Sequence, residues 1–229
     1  MSSPDSGAQP LGRRALTDQV YEELLASLVD GRHEAGDALS IDGLARELQV
    51  SPTPVREALA RLEATGLVTR IAMRGYRVAP TLSAVELAEL IDARLAIEPV
   101  NALRACKRAT PGLIQALDRS IADLRKVPTA TPSARYRDYW QADRRFHDLI
   151  AETADNRFLL MAYNCLGGQV QRFRLFTGLG ATDAQDAIKE HTAILGAFRS
   201  GEPKSARRSM IRHLRGVKAR GIRDIAAHG

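Results

Sequence analysis

Apolar positions recur every three or four residues over much of the chain. Val20, Leu24 and Leu28, with Tyr21 and Leu25 beside them, mark one face of a first helix. Thr17 is placed to cap its start, and Gly31 stands where a left-handed stop is expected. A shorter period, Ile41, Leu44, Ala45 and Leu48, follows with Ser40 as its cap; GRHEAGDALS between the two reads as turns. A third helix is predicted in VSPTPVREALARLEATG, residues 50–66. Val55, Ala58, Leu59 and Leu62 share one side of it, and Thr53, Arg56, Glu57 and Ala60 the other. With Ser51 as N-cap, Pro52 and Pro54 occupy the first turn, where amides have no partner inside the helix and a fixed φ stiffens the start. The period then changes to two. Leu67, Thr69 and Ile71 alternate, Met73-Arg74-Gly75 turns, and Tyr76 and Val78 return, which predicts a two-stranded hairpin with a basic tip.

Three short helices and a basic hairpin make a winged helix-turn-helix. Its third helix would enter the major groove of DNA, and Arg74 in the wing would meet backbone or minor groove. A stiff, dipole-positive helix start suits phosphate, and an arginine can fork onto a guanine edge. The alternative on spacing alone is a pair of core helices joined by a proline-rich turn. The run LSIDGLARELQVSPTPVREALARLEATGLVTRIAMRGYRV resembles the DNA-binding domain of GntR-family transcription regulators, over roughly residues 13–80. The resemblance implies DNA contacts at Ser51, Thr53, Arg56 and the wing glycine, Gly75. Two positions depart from it: many members carry Arg where Pro52 stands, and some carry a basic residue in place of Asp42.

Beyond Pro80-Thr81 nearly all of the chain has helical period. Helices are predicted near 83–108, 111–126, 134–154, 156–177, 183–200 and 203–227, with Ser83 capping the first. Short breaks between long helices imply an all-α bundle over residues 84–229. Pro99 should kink the first helix, and Gly167-Gly168 weakens another. The fold class expected is therefore mainly α: a winged helix-turn-helix with a two-stranded wing, followed by a helical effector and dimerisation domain. Residues 1–12 read as a disordered tail with no apolar core of a signal peptide, so a cytoplasmic protein is expected. No apolar run approaches the ~18 residues of a membrane span. Cys106 and Cys165 form no CxxC and are expected as reduced thiols.

Charge complicates this picture. The net charge is +6, yet residues 1–80 carry nine basic against eleven acidic side chains, and residues 81–229 carry twenty-four against sixteen. The part expected to touch DNA is slightly acidic, so the local placement of arginines, six of them between residues 46 and 77, carries that reading rather than the overall pI.

Candidate chemistry lies in the histidines. His33 and His228 fall in a turn and at the tail. In QADRRFHDLI, Asp143 and His147 are four residues apart on one helical face, while His191 and His213 lie on later helices. One carboxylate and three imidazoles from a bundle suit a divalent ion, Zn or Ni first among them. Taken singly, a helical histidine is more often a hydrogen-bonded core or surface residue than a metal ligand. The segments ADRRFHDLIAETADN, EHTAIL and MIRHL resemble the FCD-type effector domain of the FadR-like branch of GntR regulators, over about residues 84–225. That resemblance implies metal ligands at Asp143, His147, His191 and His213, a small carboxylate or sugar-acid effector, and an effector-binding arginine at Arg94. Arg172 and Arg174 are further pocket candidates. Arg94 can equally form an i,i+4 ion pair with Glu98 on a solvated face.

The function these readings favour is a homodimeric, sequence-specific DNA-binding regulator controlled by a small organic acid near a bound metal. The alternative is a metal-dependent enzyme with an accessory winged helix, against which stands the lack of HExxH, a nucleophile elbow or a Gly-rich phosphate loop. A third reading makes the metal structural only.

Overall fold

The computed structural model describes residues 11–72, 75–126, 132–176 and 184–228. The chain divides into two compact units, residues 1–79 and 80–229.

The first unit holds α1 (Leu11–Val29), α2 (Ile41–Glu47), α3 (Pro52–Ala64) and three short strands, β1 (Ala38–Leu39), β2 (Val68–Ile71) and β3 (Gly75–Val78). α1 packs on α3, with Val20, Leu24 and Leu28 of the one and Val55, Ala58, Leu59 and Leu62 of the other buried, the last four fully shielded from solvent. Burial of such side chains supplies about 1.5–3 kcal/mol each and fixes which side of α3 remains outside. Gly31 ends the α1 region with φ +70. Thr17 is not a cap: α1 begins at Leu11, which also places Leu11 and Gly12 in a helix rather than in the expected tail, and the Thr17 hydroxyl donates to Glu57 at 2.8 Å.

The sheet differs from the expected two-stranded wing. Its order is β1-β3-β2, antiparallel throughout, with Leu39 opposite Tyr76 and Ile71 opposite Gly75. The extra strand is two residues long and comes from the stretch read above as turns. Buried Leu39 pins it to the core, and the absence of a side chain at Gly75 admits it: a Cβ there would lie 2.9 Å from the Leu39 carbonyl oxygen.

The second unit is helical among its described residues: α4 (Ala84–Cys106), α5 (Pro111–Arg125), α6 (Pro132–Thr153), α7 (Arg157–Phe176), α8 (Ala184–Arg199) and α9 (Pro203–His228). Starts are chemically marked. Ser83 and Glu86 form a reciprocal capping box, and Thr110 caps α5 ahead of Pro111. α4 packs along α9 and against α6 and α7, while α8 bridges α9 and α5. Four helices, α4, α6, α8 and α9, thereby turn side chains toward one another. No described helix is long and apolar enough to cross a membrane.

Candidate metal centre and nucleic-acid interface

On α3 the prolines have a consequence beyond stiffness. Ser51 stands at the N-cap with extended backbone, yet its hydroxyl makes no capping bond. Pro54 occupies the third helical position and has no amide to offer, so the hydroxyl and the Thr53 N–H remain at an open helix start. Along the same helix, Glu57 accepts from Thr17, and Arg61 bonds Asp18 at 2.5 Å while lying over the Tyr21 ring. These two residues are thus committed to α1. Arg56 is exposed and has no ion pair among the described residues, and it shares an outward row with Thr53 and Ala60. Gly75 has φ +90, and its closeness to Leu39 gives it a structural reason to be glycine. Arg74 lies outside the described residues. Asp42 sits in the first turn of α2, where a carboxylate is favoured by the helix dipole.

In the bundle, α6 carries Asp143 and His147 one turn apart, α8 carries His191 and α9 carries His213. All four are buried. One nitrogen from each histidine falls within 4.8 Å of the others. At a four-coordinate ion with bonds of about 2.1 Å the nitrogens would stand about 3.4 Å apart, so the rings need to close by roughly an ångström. Asp143 is next to this group, its Oδ1 3.6 Å from His191 Nε2.

Two of the imidazoles are oriented from behind. His147 Nδ1 is 2.7 Å from Glu98 Oε2, and His213 Nδ1 is 2.7 Å from Glu190 Oε2. Each carboxylate is itself gripped by an arginine: Glu98 by Arg94 at 2.5 Å, Glu190 by Arg220 at 2.9 and 3.0 Å. At His213 the hydrogen bond between Nδ1 and Glu190 selects the tautomer that presents Nε2, the arrangement that serves a metal ligand, whereas at His147 the Glu98 carboxylate lies close to Nδ1 without hydrogen-bond geometry. Both ring nitrogens of His147 are buried without a hydrogen-bond partner among the described residues. His191 is held differently, stacked on Phe146 with centroids 4.0 Å apart and planes 4° from parallel. The donor set therefore fits a divalent metal ion. Burial alone would raise the Glu98 carboxyl, but the Arg94 guanidinium and His147 outweigh it and hold Glu98 well below the usual carboxylate range.

A small cavity adjoins the histidines, lined by Arg94, Asp143, His147, Trp140, Arg144 and Tyr163 among others. Its volume is about 20 Å³, room for a water or two. Arg94 pairs with Glu98, but the pair is buried rather than on a solvated face, and Arg94 Nη1 has no hydrogen-bond partner among the described residues. Burial holds the Tyr163 hydroxyl protonated, as do the nearby carboxylates, and it donates to Asp148 at 2.8 Å. Arg172 does not line the cavity: it is committed to the Pro80 carbonyl through Nε and Nη2, at 2.8 and 2.6 Å. The Arg174 side chain lies outside the described residues. Glu98, Glu190 and Arg220 were not anticipated as parts of the site. Glu98 carried one signal, a lone acid in the apolar run LAIEPV; Glu190, adjacent in sequence to His191, reaches His213 on another helix and carried none.

Comparison with known proteins agrees with this architecture. The sequence profile of the FCD domain matches residues 89–216, and that of the gntR family of bacterial regulatory proteins matches residues 16–78. A probable D-xylose utilization operon transcriptional repressor of Paenarthrobacter nicotinovorans is 26% identical over 210 residues, covering 92% of this chain and 90% of that protein. A putative L-lactate dehydrogenase operon regulatory protein of Escherichia coli is 29% identical over 227 residues, covering 88% and 84%. Among solved structures, E. coli McbR/YncC superposes with a TM-score of 0.69 at 20% identity, over 91% of this chain and 97% of that one. The chain is a transcriptional regulator of the GntR family, in the branch that joins the winged helix-turn-helix to an FCD domain, and not an enzyme.

Proposed function

We propose that this regulator binds its operator as a homodimer, and that a small organic acid taken up beside a divalent ion in the bundle controls that binding. His147, His191 and His213, with Asp143, hold the ion, Zn or Ni first among candidates. Ser51, Thr53 and Arg56 read DNA from the open start and outer row of α3, with Arg74 and Gly75 in the wing. The observation that carries the metal-linked reading is the pair of arginine-braced carboxylates behind His147 and His213, an arrangement with little purpose in a plain core.

The ion supplies coordination positions for a carboxylate oxygen. Arg94 supplies the second grip: Glu98 occupies Nε and Nη2, which leaves Nη1 for an anion. The relatives named for xylose and lactate operons favour a sugar acid or hydroxy acid as the guest. A cavity of about 20 Å³ is too small for either, so entry requires the surrounding helices to part. The guest thereby binds the open and closed bundle unequally, as control of a distant equilibrium requires, with a coupling of about 1–3 kcal/mol typical.

The test is metal analysis of the purified protein, followed by calorimetric titration of small carboxylates into parent and Arg94→Ala. The expected result is one bound divalent ion per chain in both, with an acid that binds the parent at least tenfold more tightly. Full metal content with no acid bound by either would leave the ion a structural role.

A further inference from the structure

The positive charge of the second unit is concentrated in one place. Helix α9 carries eight lysines and arginines against a single acid, Asp224. At 3.6 residues per turn, Lys204, Arg208, Arg212, Arg215 and Arg223 fall within an arc of about 100°, with Ala219 in the same row and no acid in it. All five are exposed. The opposite side of the helix, Ala206, Met210, His213, Leu214 and Val217, is buried in the bundle.

Of the three other basic residues of α9, Lys218 pairs with Asp92 at 2.7 Å and Arg220 with Glu190 at 2.9 Å, while Arg207 is exposed with no ion pair among the described residues. In the outer row Arg208 bonds only the Ser205 hydroxyl, and Lys204, Arg212, Arg215 and Arg223 have no ion pair among the described residues. A face kept for solubility mixes both signs; this one carries a single sign along about 28 Å, the length of roughly eight base pairs.

We propose that this face of α9 is a second, sequence-independent contact for the phosphate backbone of duplex DNA. The proposal rests on the chain being a DNA-binding regulator. Three observations select DNA over other polyanions. The same chain carries a DNA-reading helix, so a duplex held by one unit is present at high effective concentration for the other. The first eighty residues are slightly acidic and lend little general attraction of their own. The apolar side of α9 is consumed by the bundle, so the helix has nothing to insert into a lipid surface.

The experiment uses the full-length, zinc-loaded protein and a 40-base-pair duplex of arbitrary sequence, with affinity followed by fluorescence anisotropy from 50 to 300 mM KCl. The variants are R208Q/R212Q/R215Q, the matching triple lysine variant, and Arg56→Ala. Each phosphate contact contributes about 0.9 to the slope of log affinity against log salt. The triple glutamine variant should lose about 2–3 from that slope and on the order of tenfold or more in affinity at 100 mM salt, the lysine variant should restore both, and Arg56→Ala should lose at most about 1. A triple glutamine variant with the parent's slope and thermal stability overturns the proposal and leaves the regulator reading intact. So does a variant that binds duplex normally but has lost binding to polyglutamate, which would assign the face to an acidic protein. Failure of the parent to bind this duplex at any salt overturns the proposal, and the operator-binding reading is then judged separately on selected operator sequences. Should the triple variant be unstable, Arg212→Gln alone carries the test, with an expected loss of about 0.9 in slope.

Discussion

His213 on α9 and Glu190 on α8 meet through Nδ1 and Oε2 at 2.7 Å, across a place where α9 has no side chain. That place is Gly216, where a Cβ would lie 2.5 Å from Glu190 Oε1 and 2.8 Å from Arg220 Nη1. The glycine makes the room in which Arg220 and Glu190 brace the imidazole.

Gly216→Ala should therefore push Glu190 off His213 while leaving the fold in place, because the displaced atoms are the ends of flexible side chains. Loss of an outer carboxylate of this kind typically costs 10–100-fold in metal affinity. Competition titration with a zinc chelator checks this; parent-like affinity in Gly216→Ala would remove Glu190 from the account.

His191→Ala should lower metal content and leave the winged helix able to bind DNA. It also opens a void against Phe146, on which the ring is stacked, so a loss of stability comparable with other large-to-small core changes, about 2–5 kcal/mol, is expected. Elemental analysis beside denaturant unfolding separates the two effects. Added zinc should raise the melting temperature of the parent and not of the variant.

Arg56→Ala removes an exposed side chain without an ion-pair partner among the described residues, so the fold should not notice. Specific operator affinity should fall by about 1–3 kcal/mol if the guanidinium forks onto a guanine. Affinity measured on selected operator sequences, against scrambled ones, provides the check. Equal losses on both would reassign Arg56 to a phosphate.

Glu98→Gln tests the buried ion pair through pH. The folded carboxyl lies well below its ordinary value of 4.5, because Arg94 and His147 outweigh the opposing effect of burial. Its contribution to stability is therefore fully present above about pH 4.5, declines as pH falls below that, and is gone below the folded value. The parent should lose stability on acidification through this window more steeply than Glu98→Gln. At neutral pH the variant should be weaker by about 3–5 kcal/mol, since Arg94 is left buried without its partner. Urea unfolding between pH 7 and 3 reads both.

How much of this was legible in the chain differs by element. α3 was, because prolines at its start and a clean apolar row at 55, 58, 59 and 62 leave one arrangement for it. The strand at Ala38–Leu39 was not: two residues carry no period, and its reason for existing, the gap at Gly75, lies thirty-six residues away in sequence. The histidines stood out by type, but their approach to one another depends on how α6, α8 and α9 pack, which spacing along one chain does not encode. Arg94 and Glu98 show the limit best. Four residues apart, they are the same pair on a wet surface or in a dry core, and only the packing of α4 against α6 and α7 made it the latter.

The small volume beside the histidines sets a tempo. A guest of several heavy atoms cannot simply diffuse into a space sized for a water or two; it waits for neighbouring helices to separate, a movement of microseconds to milliseconds or slower. On the proposed reading, uptake of an acid beside the histidines would be paced by the breathing of the bundle rather than by how often the acid collides with it, and surges briefer than that opening would pass unrecorded.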